Sequence, residues 1–103
     1  ETAPAAEPAT PFLARGRDVF FANGCQACHT VRGTPAVGAL GPDLTHFGSR
    51  RSVAAGALPL NVGTIAGWIA SAQHIKPGNL MPSFENLRGE ELRAVSHYLE
   101  SLK

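Results

Sequence analysis

The eight residues GCQACHTV, Gly24 to Val31, decide how this chain is read. They hold both of its cysteines, two residues apart, with His29 directly after Cys28. Thiols and an imidazole at that spacing suit a metal site, a redox dithiol, or an anchor for a larger group. The rest of the chain separates the three.

A structural zinc site needs four ligands, normally as two separated pairs. A second pair would have to come from His46, His74 and His97, and none of these is spaced as a zinc-binding histidine pair. A thioredoxin-like dithiol sits at the start of a helix in an alternation of strands and helices, which this chain lacks. A plain disulfide is the remaining bland use. C-x-x-C-H is instead the attachment signature of c-type haem. Two thiols three positions apart each add to a vinyl group on one porphyrin edge, and the adjacent histidine lies under the iron. One covalent haem c, held through Cys25 and Cys28 with His29 as an iron ligand, is therefore expected.

Composition agrees with an enclosed cofactor. Of 103 residues 44% are apolar, but sixteen are alanine and only seven are Phe, Trp or Tyr, so the side chains alone make a thin core. The length suits one domain. Nineteen residues are Gly or Pro, spread between periodic segments, which is the composition of short helices joined by shaped loops. Nine basic and eight acidic residues leave a formal charge of +1 with no basic patch, which argues against nucleic acid as a partner. No apolar run approaches the ~20 residues needed to cross a bilayer. Membrane association is expected only through a parent polypeptide.

Upstream of the motif, Thr10-Pro11 is an N-cap followed by proline at the first helical position. Phe12, Leu13, Gly16, Val19 and Phe20 then recur at helical spacing, giving a helix from about 11 to 23 with Gly24 as its left-handed cap. Residues 1 to 10, ETAPAAEPAT, read as a flexible Ala/Pro-rich linker, and 11 to 103 as the folded domain. Residues 30 to 60 show no sustained period apart from one helical turn expected around Ser52 to Ala55. So long a loop must wrap something. Asn61 caps a second helix to about Ala72, with Val62, Ile65, Trp68, Ile69 and Ala72 on one stripe. KPGNLMP, residues 76 to 82, breaks it. A third helix runs from about Gly89 to Leu102 with Leu92, Val95, Tyr98, Leu99 and Leu102 inward, and with no good capping residue at its start. No segment alternates with period two, so the class is all-α.

The sixth iron position has one strong candidate. Met81 is the only methionine and sits in the Pro-bounded break, where a thioether can be aimed at a point; packing in a core is the ordinary alternative for methionine. His46 and His74 stay open as imidazole alternatives, while His97 lies on the last helix.

These features resemble class I cytochrome c over residues 11 to 103. GCQACHTV, GPDL at 41 to 44 and KPGNLMP carry the resemblance. It implies a cytochrome c fold with three main helices, Pro42 offering its carbonyl to His29, and a crossing of first and last helices through Gly16, Phe20, Val95 and Tyr98. It also implies that Trp68 and Arg50, or neighbouring Arg51, hydrogen-bond the haem propionates. The run from GPDLTHFGSRRSVAAGALPLN through IAGWI to KPGNLMPSF is most similar to the cytochrome c domain at the C-terminal end of subunit II in caa-type haem-copper oxidases.

The resemblance implies one-electron transfer from a donor protein to the dinuclear copper domain of that subunit, on the periplasmic or outer face of the bacterial membrane. It implies no enzyme activity of the domain by itself. A freely diffusing periplasmic cytochrome c is the alternative. A peroxidase or gas sensor would need an open sixth position, against which the Met81 loop argues. Gln26, Ala27, Val37, Gly38, Ala39, Leu80 and Pro82 are expected around the exposed cofactor edge. None is charged, so docking is expected to rest on apolar contact.

Overall fold

The computed structural model describes residues 3–53 and 58–103. Three α-helices make the frame: α1, Pro11–Ala22; α2, Val62–Ile75; and α3, Gly89–Glu100. Each begins close to where capping and periodicity place it. The Thr10 hydroxyl accepts the amide of Leu13 at 3.1 Å, and proline follows at the first helical position. Asn61 makes a full capping box, its side chain accepting from Thr64 N at 2.8 Å while the Thr64 hydroxyl accepts from Asn61 N at 3.0 Å. Arg88 supplies no side-chain cap to α3; Glu90 and Glu91 in its first turn complement the helix dipole instead.

The ends of α2 and α3 differ by three and two residues from expectation, and that of α1 by one. α2 continues past Ala72 to Ile75 because Asn79 Nδ2 closes its carbonyls, donating to Ala72 O at 3.1 Å and Lys76 O at 2.7 Å. Its path is interrupted at Ser71, whose φ of −139° and ψ of 36° are not helical. α3 stops at Glu100 because the next residues turn to meet a 3-10 turn at Phe47–Ser49. There Gly48 N donates to Leu102 O at 2.6 Å and Ser49 Oγ to Lys103 O at 2.8 Å.

α1 and α3 cross in contact at Gly16. A Cβ there would fall 2.0 Å from Ala94 O and 2.7 Å from Tyr98 Cβ, so only glycine permits this approach. Phe20 and Tyr98 meet edge to face beside the crossing, with centroids 6.2 Å apart. Val19, Phe20, Ile65, Ile69, Val95, Leu99 and Leu102 continue the core across the three helices.

The helical turn expected around Ser52 to Ala55 is not what the chain does at its start. Ser52–Val53 is a strand, β1, paired antiparallel with Leu58–Pro59, β2, in the register Ser52 to Pro59 and Val53 to Leu58. The amide of Leu60 donates to Arg51 O at 2.9 Å and extends the ladder. Four residues cannot by themselves satisfy a helical turn, whereas pairing satisfies both segments. The Ala54 and Ala55 end of that expectation lies outside the described residues. The class stays all-α, with this small hairpin as an appendage.

Residues 3–10, expected as a linker, run along the domain. Ala5 N donates to Arg32 O at 2.8 Å, and Glu7 meets Arg17 at 3.2 Å.

Candidate functional site

The left-handed Gly24, φ 75°, turns the chain out of α1 into a single 3-10 turn, Cys25–Ala27. That turn brings Cys25 and His29 onto the apolar wall made by Val19 and Phe20 of α1. One cleft is lined by these four together with Leu44, Ile69, Met81, Leu87, Val95 and Leu99. An imidazole, a thioether and a thiol thus share a surface that is otherwise hydrocarbon. His29 and Met81 come from segments 52 residues apart in sequence. Cys28 is half-buried beside the turn and does not line the cleft.

His29 is fixed by two contacts. Its Nδ1 lies 2.8 Å from Pro42 O, so that nitrogen carries the proton and donates, leaving Nε2 as the lone-pair nitrogen. Its ring packs on Gly41, where a Cβ would come within 2.5 Å of Cε1 and 2.8 Å of Nδ1. The turn after Pro42 is itself tied down. Asp43 Oδ1 accepts from Thr45 N at 2.9 Å and from Thr45 Oγ1 at 2.6 Å, Thr45 Oγ1 accepts from Arg32 N at 2.8 Å, and Arg32 pairs with Asp43 Oδ2 at 2.7 Å.

The Thr45 bonds, aided by Arg32, hold the Asp43 carboxyl below its ordinary value of 3.8. A lowered folded-state pKa stabilises the fold above the unfolded value and ceases to do so as pH falls through the folded one. Asp43→Asn, which keeps one neutral acceptor, is therefore expected to be less stable than the parent at neutral pH. The two denaturation midpoints should converge below about pH 4. Urea midpoints across pH check this, and a constant gap down to the most acid sample would refute it.

Met81 is held from α2. Trp68 Nε1 donates to its Sδ at 3.1 Å, and Gln73 Nε2 donates to its carbonyl at 2.7 Å. The resemblance gives the Trp68 N–H a propionate as acceptor; here that donor is directed at the sulfur. Arg50 lies outside the cleft, donating to Asp43 O at 3.0 Å with its guanidinium 5.5 Å above the Phe47 ring. Arg51 is exposed. His46 Nε2 is bonded to Ala3 O at 2.8 Å, and His74 is exposed on α2; neither lines the cleft. His97 packs edge to face on Phe12. Gln73 and Asn79 carry no sequence signal of their own, since an amide in a helix or loop is ordinary; their partners emerge only from tertiary structure.

The donor set fits an iron porphyrin. An imidazole with its tautomer set and a soft thioether in one apolar cleft suit haem iron better than a hard cation. Burial pushes the Cys25 thiol up to about 11, unlike the low-pKa thiolate of a reactive dithiol. Among the described residues no three His, Cys, Asp or Glu side chains converge on a point.

Comparison with known proteins leads the same way. The family model for cytochrome c matches residues 13–103. Cytochrome c oxidase subunit 2 of Alkalihalophilus pseudofirmus is 41% identical over 97 residues, covering 94% of this chain and 28% of that protein. Its namesake from Bacillus sp. strain PS3 is 33% identical over 95 residues, covering 88% and 26%. The chain thus spans about a quarter of the length of the curated relatives it matches. The crystal structure of the c-type cytochrome SorU from Sinorhizobium meliloti aligns with a TM-score of 0.61 at 26% identity, over 88% of this chain and 90% of that one. With its three helices, its C-x-x-C-H turn and a family match over nearly its whole length, this chain belongs to the cytochrome c family of electron carriers.

Proposed function

We propose that this domain carries single electrons through one haem c bound covalently at Cys25 and Cys28, with His29 and Met81 as axial ligands. The observation that carries this is the shared cleft: His29, oriented by Pro42 O, and Met81, tethered to α2, line one apolar surface with Cys25 at its edge. The haem supplies the one-electron couple. The protein supplies two ligands that need not move, an apolar surround that favours the less charged reduced state, and exclusion of water. With haem bound, Arg50 and Trp68 are the proposed donors to the propionates, Arg50 leaving Asp43 O and the single Trp68 N–H leaving the Met81 sulfur, since partly buried carboxylates need positive charge or N–H groups.

The acceptor we propose is the dinuclear copper domain of an oxidase subunit II, with this domain tethered on the outer face of the bacterial membrane. The similarity to oxidase subunit 2 proteins supports that setting over a freely diffusing carrier. Docking would use the uncharged rim, where Val37 and Leu80 are both 78% exposed and Leu40, absent from the expected rim, is 67% exposed. A tether makes weak apolar docking sufficient, because a short linker gives effective concentrations of order millimolar. No helix among the described residues is long and apolar enough to cross a membrane.

The ligand set is tested with Met81→Ala. The variant is expected to keep its helical circular dichroism, lose the weak far-red absorption band of sulfur-ligated ferric haem, and take up added imidazole readily. Retention of that band would overturn Met81 as ligand. A high-spin spectrum of the parent would instead favour an enzyme or gas sensor.

A further inference from the structure

We propose that the break in α2 at Ser71 is the seat of a latch: Ser83 and Phe84 plug the opened helical turn, and with the Gln73 side chain they fix where the Met81 thioether points. This rests on the reading of Met81 as an iron ligand. It assigns Gln73 and Ser83 as positioning residues for that ligand.

In an unbroken helix the amide of Gln73 would donate to the carbonyl of Ile69, four residues back. With Ser71 out of helical geometry, both groups turn to the loop. Ile69 O accepts from Phe84 N at 2.9 Å, and Gln73 N donates to Ser83 Oγ at 3.0 Å. The loop has inserted itself into a single helical hydrogen bond.

The Gln73 side chain completes the hold from inside the loop. Its Oε1 accepts from Gly78 N at 3.1 Å, which assigns the amide orientation, and its Nε2 donates to Asn79 O at 2.8 Å and Met81 O at 2.7 Å. Asn79 Oδ1 accepts from Met81 N at 2.7 Å. Both backbone polar groups of Met81 are thereby engaged.

Leu80 is 78% exposed and Pro77, Gly78 and Pro82 are exposed as well, so the loop's apolar burial rests on Met81 and Phe84, which pack on the core. Hydrogen bonds to the broken turn hold the rest of the loop, and weakening them raises the fraction of time that it is open. An added ligand that competes with Met81 binds only the open form, so its apparent affinity reports that fraction.

Imidazole titration of the ferric holoprotein tests the latch. Ser83→Ala removes one bond and should tighten apparent imidazole binding by about five-fold. Gln73→Glu keeps the shape and the acceptor but loses both carbonyl donors, and should tighten it by roughly 25-fold. Ser83→Thr, which restores the hydroxyl, should return the parental affinity. Asn61→Ala weakens the far end of α2 and should lower the denaturation midpoint without changing imidazole binding. Amide exchange gives an independent reading: the Phe84 amide should be protected in the parent and faster in Ser83→Ala.

Parental imidazole affinity in Ser83→Ala and Gln73→Glu would overturn the latch. So would an equal shift in Asn61→Ala, since the effect would then be global. If the parent lacks the sulfur band, the ligand reading fails separately and amide exchange decides: a Phe84 amide indifferent to Ser83→Ala overturns the latch.

Discussion

His29→Ala is expected to lose the stably folded state. The ring packs on Gly41 and its Nδ1 occupies the Pro42 carbonyl, so it joins the 25–29 segment to the 41–44 turn. His29 is half-buried, so losing its ring and its hydrogen bond costs about 0.5–3 kcal/mol by itself. More is lost if haem is no longer held, because Val19, Phe20, Leu44, Ile69, Val95 and Leu99 then line a cleft with nothing to enclose. Against this stands a total stability on the order of 5–15 kcal/mol, and this chain has only seven aromatic side chains with which to build a core. Cys25→Ala, which removes one of the two proposed attachment bonds, is expected to shift in the same direction. Far-UV circular dichroism with urea titration measures both. Helicity and a midpoint equal to the parent in His29→Ala would show that the cleft does not depend on what His29 holds.

What could be read from sequence follows from which interactions are local. The C-x-x-C-H motif was legible because its whole pattern lies within five residues. The helices were legible through their periodic faces and through Thr10 and Asn61, whose capping bonds span three residues. The break around Met81 announced itself by two prolines and a glycine. The β1–β2 pair did not, since two-residue strands carry no period and their stability lies in the partner. Nor did the latch: Gln73 and Ser83 are ten residues apart, and nothing in either predicts that α2 will open at Ser71. Leu40 was missed for a similar reason. Its exposure depends on how the 38–42 turn folds back on the C-x-x-C-H segment, with Gly38 N on His29 O at 3.2 Å and Gly41 N on Cys28 O at 2.7 Å.

A single methyl group distinguishes a helix crossing that is built in from one that is incidental. Gly16→Ala places a carbon 2.0 Å from Ala94 O and 2.6 Å from Ala94 C, and those are backbone atoms that cannot rotate away. α1 and α3 must move apart, which unpacks Phe20 and Tyr98, exposed by only 1% and 2%. In a helix Gly→Ala normally stabilises by about 0.5–1 kcal/mol, whereas overpacking a tight contact costs about 1–3 kcal/mol and sometimes more. Overpacking wins here because the obstacle is main chain. We expect a net loss of about 2 kcal/mol, or a fall of roughly 8–16 °C in Tm. Gly67→Ala supplies the contrast. Gly67 is an exposed residue inside α2 whose added Cβ meets nothing within 4 Å, so the same substitution should raise stability slightly. Thermal unfolding of the two variants against the parent is the measurement, and opposite signs are the expected result. If both shift the same way, helix propensity rather than the α1–α3 contact governs Gly16, and the crossing is not the fixed frame that carries the cleft.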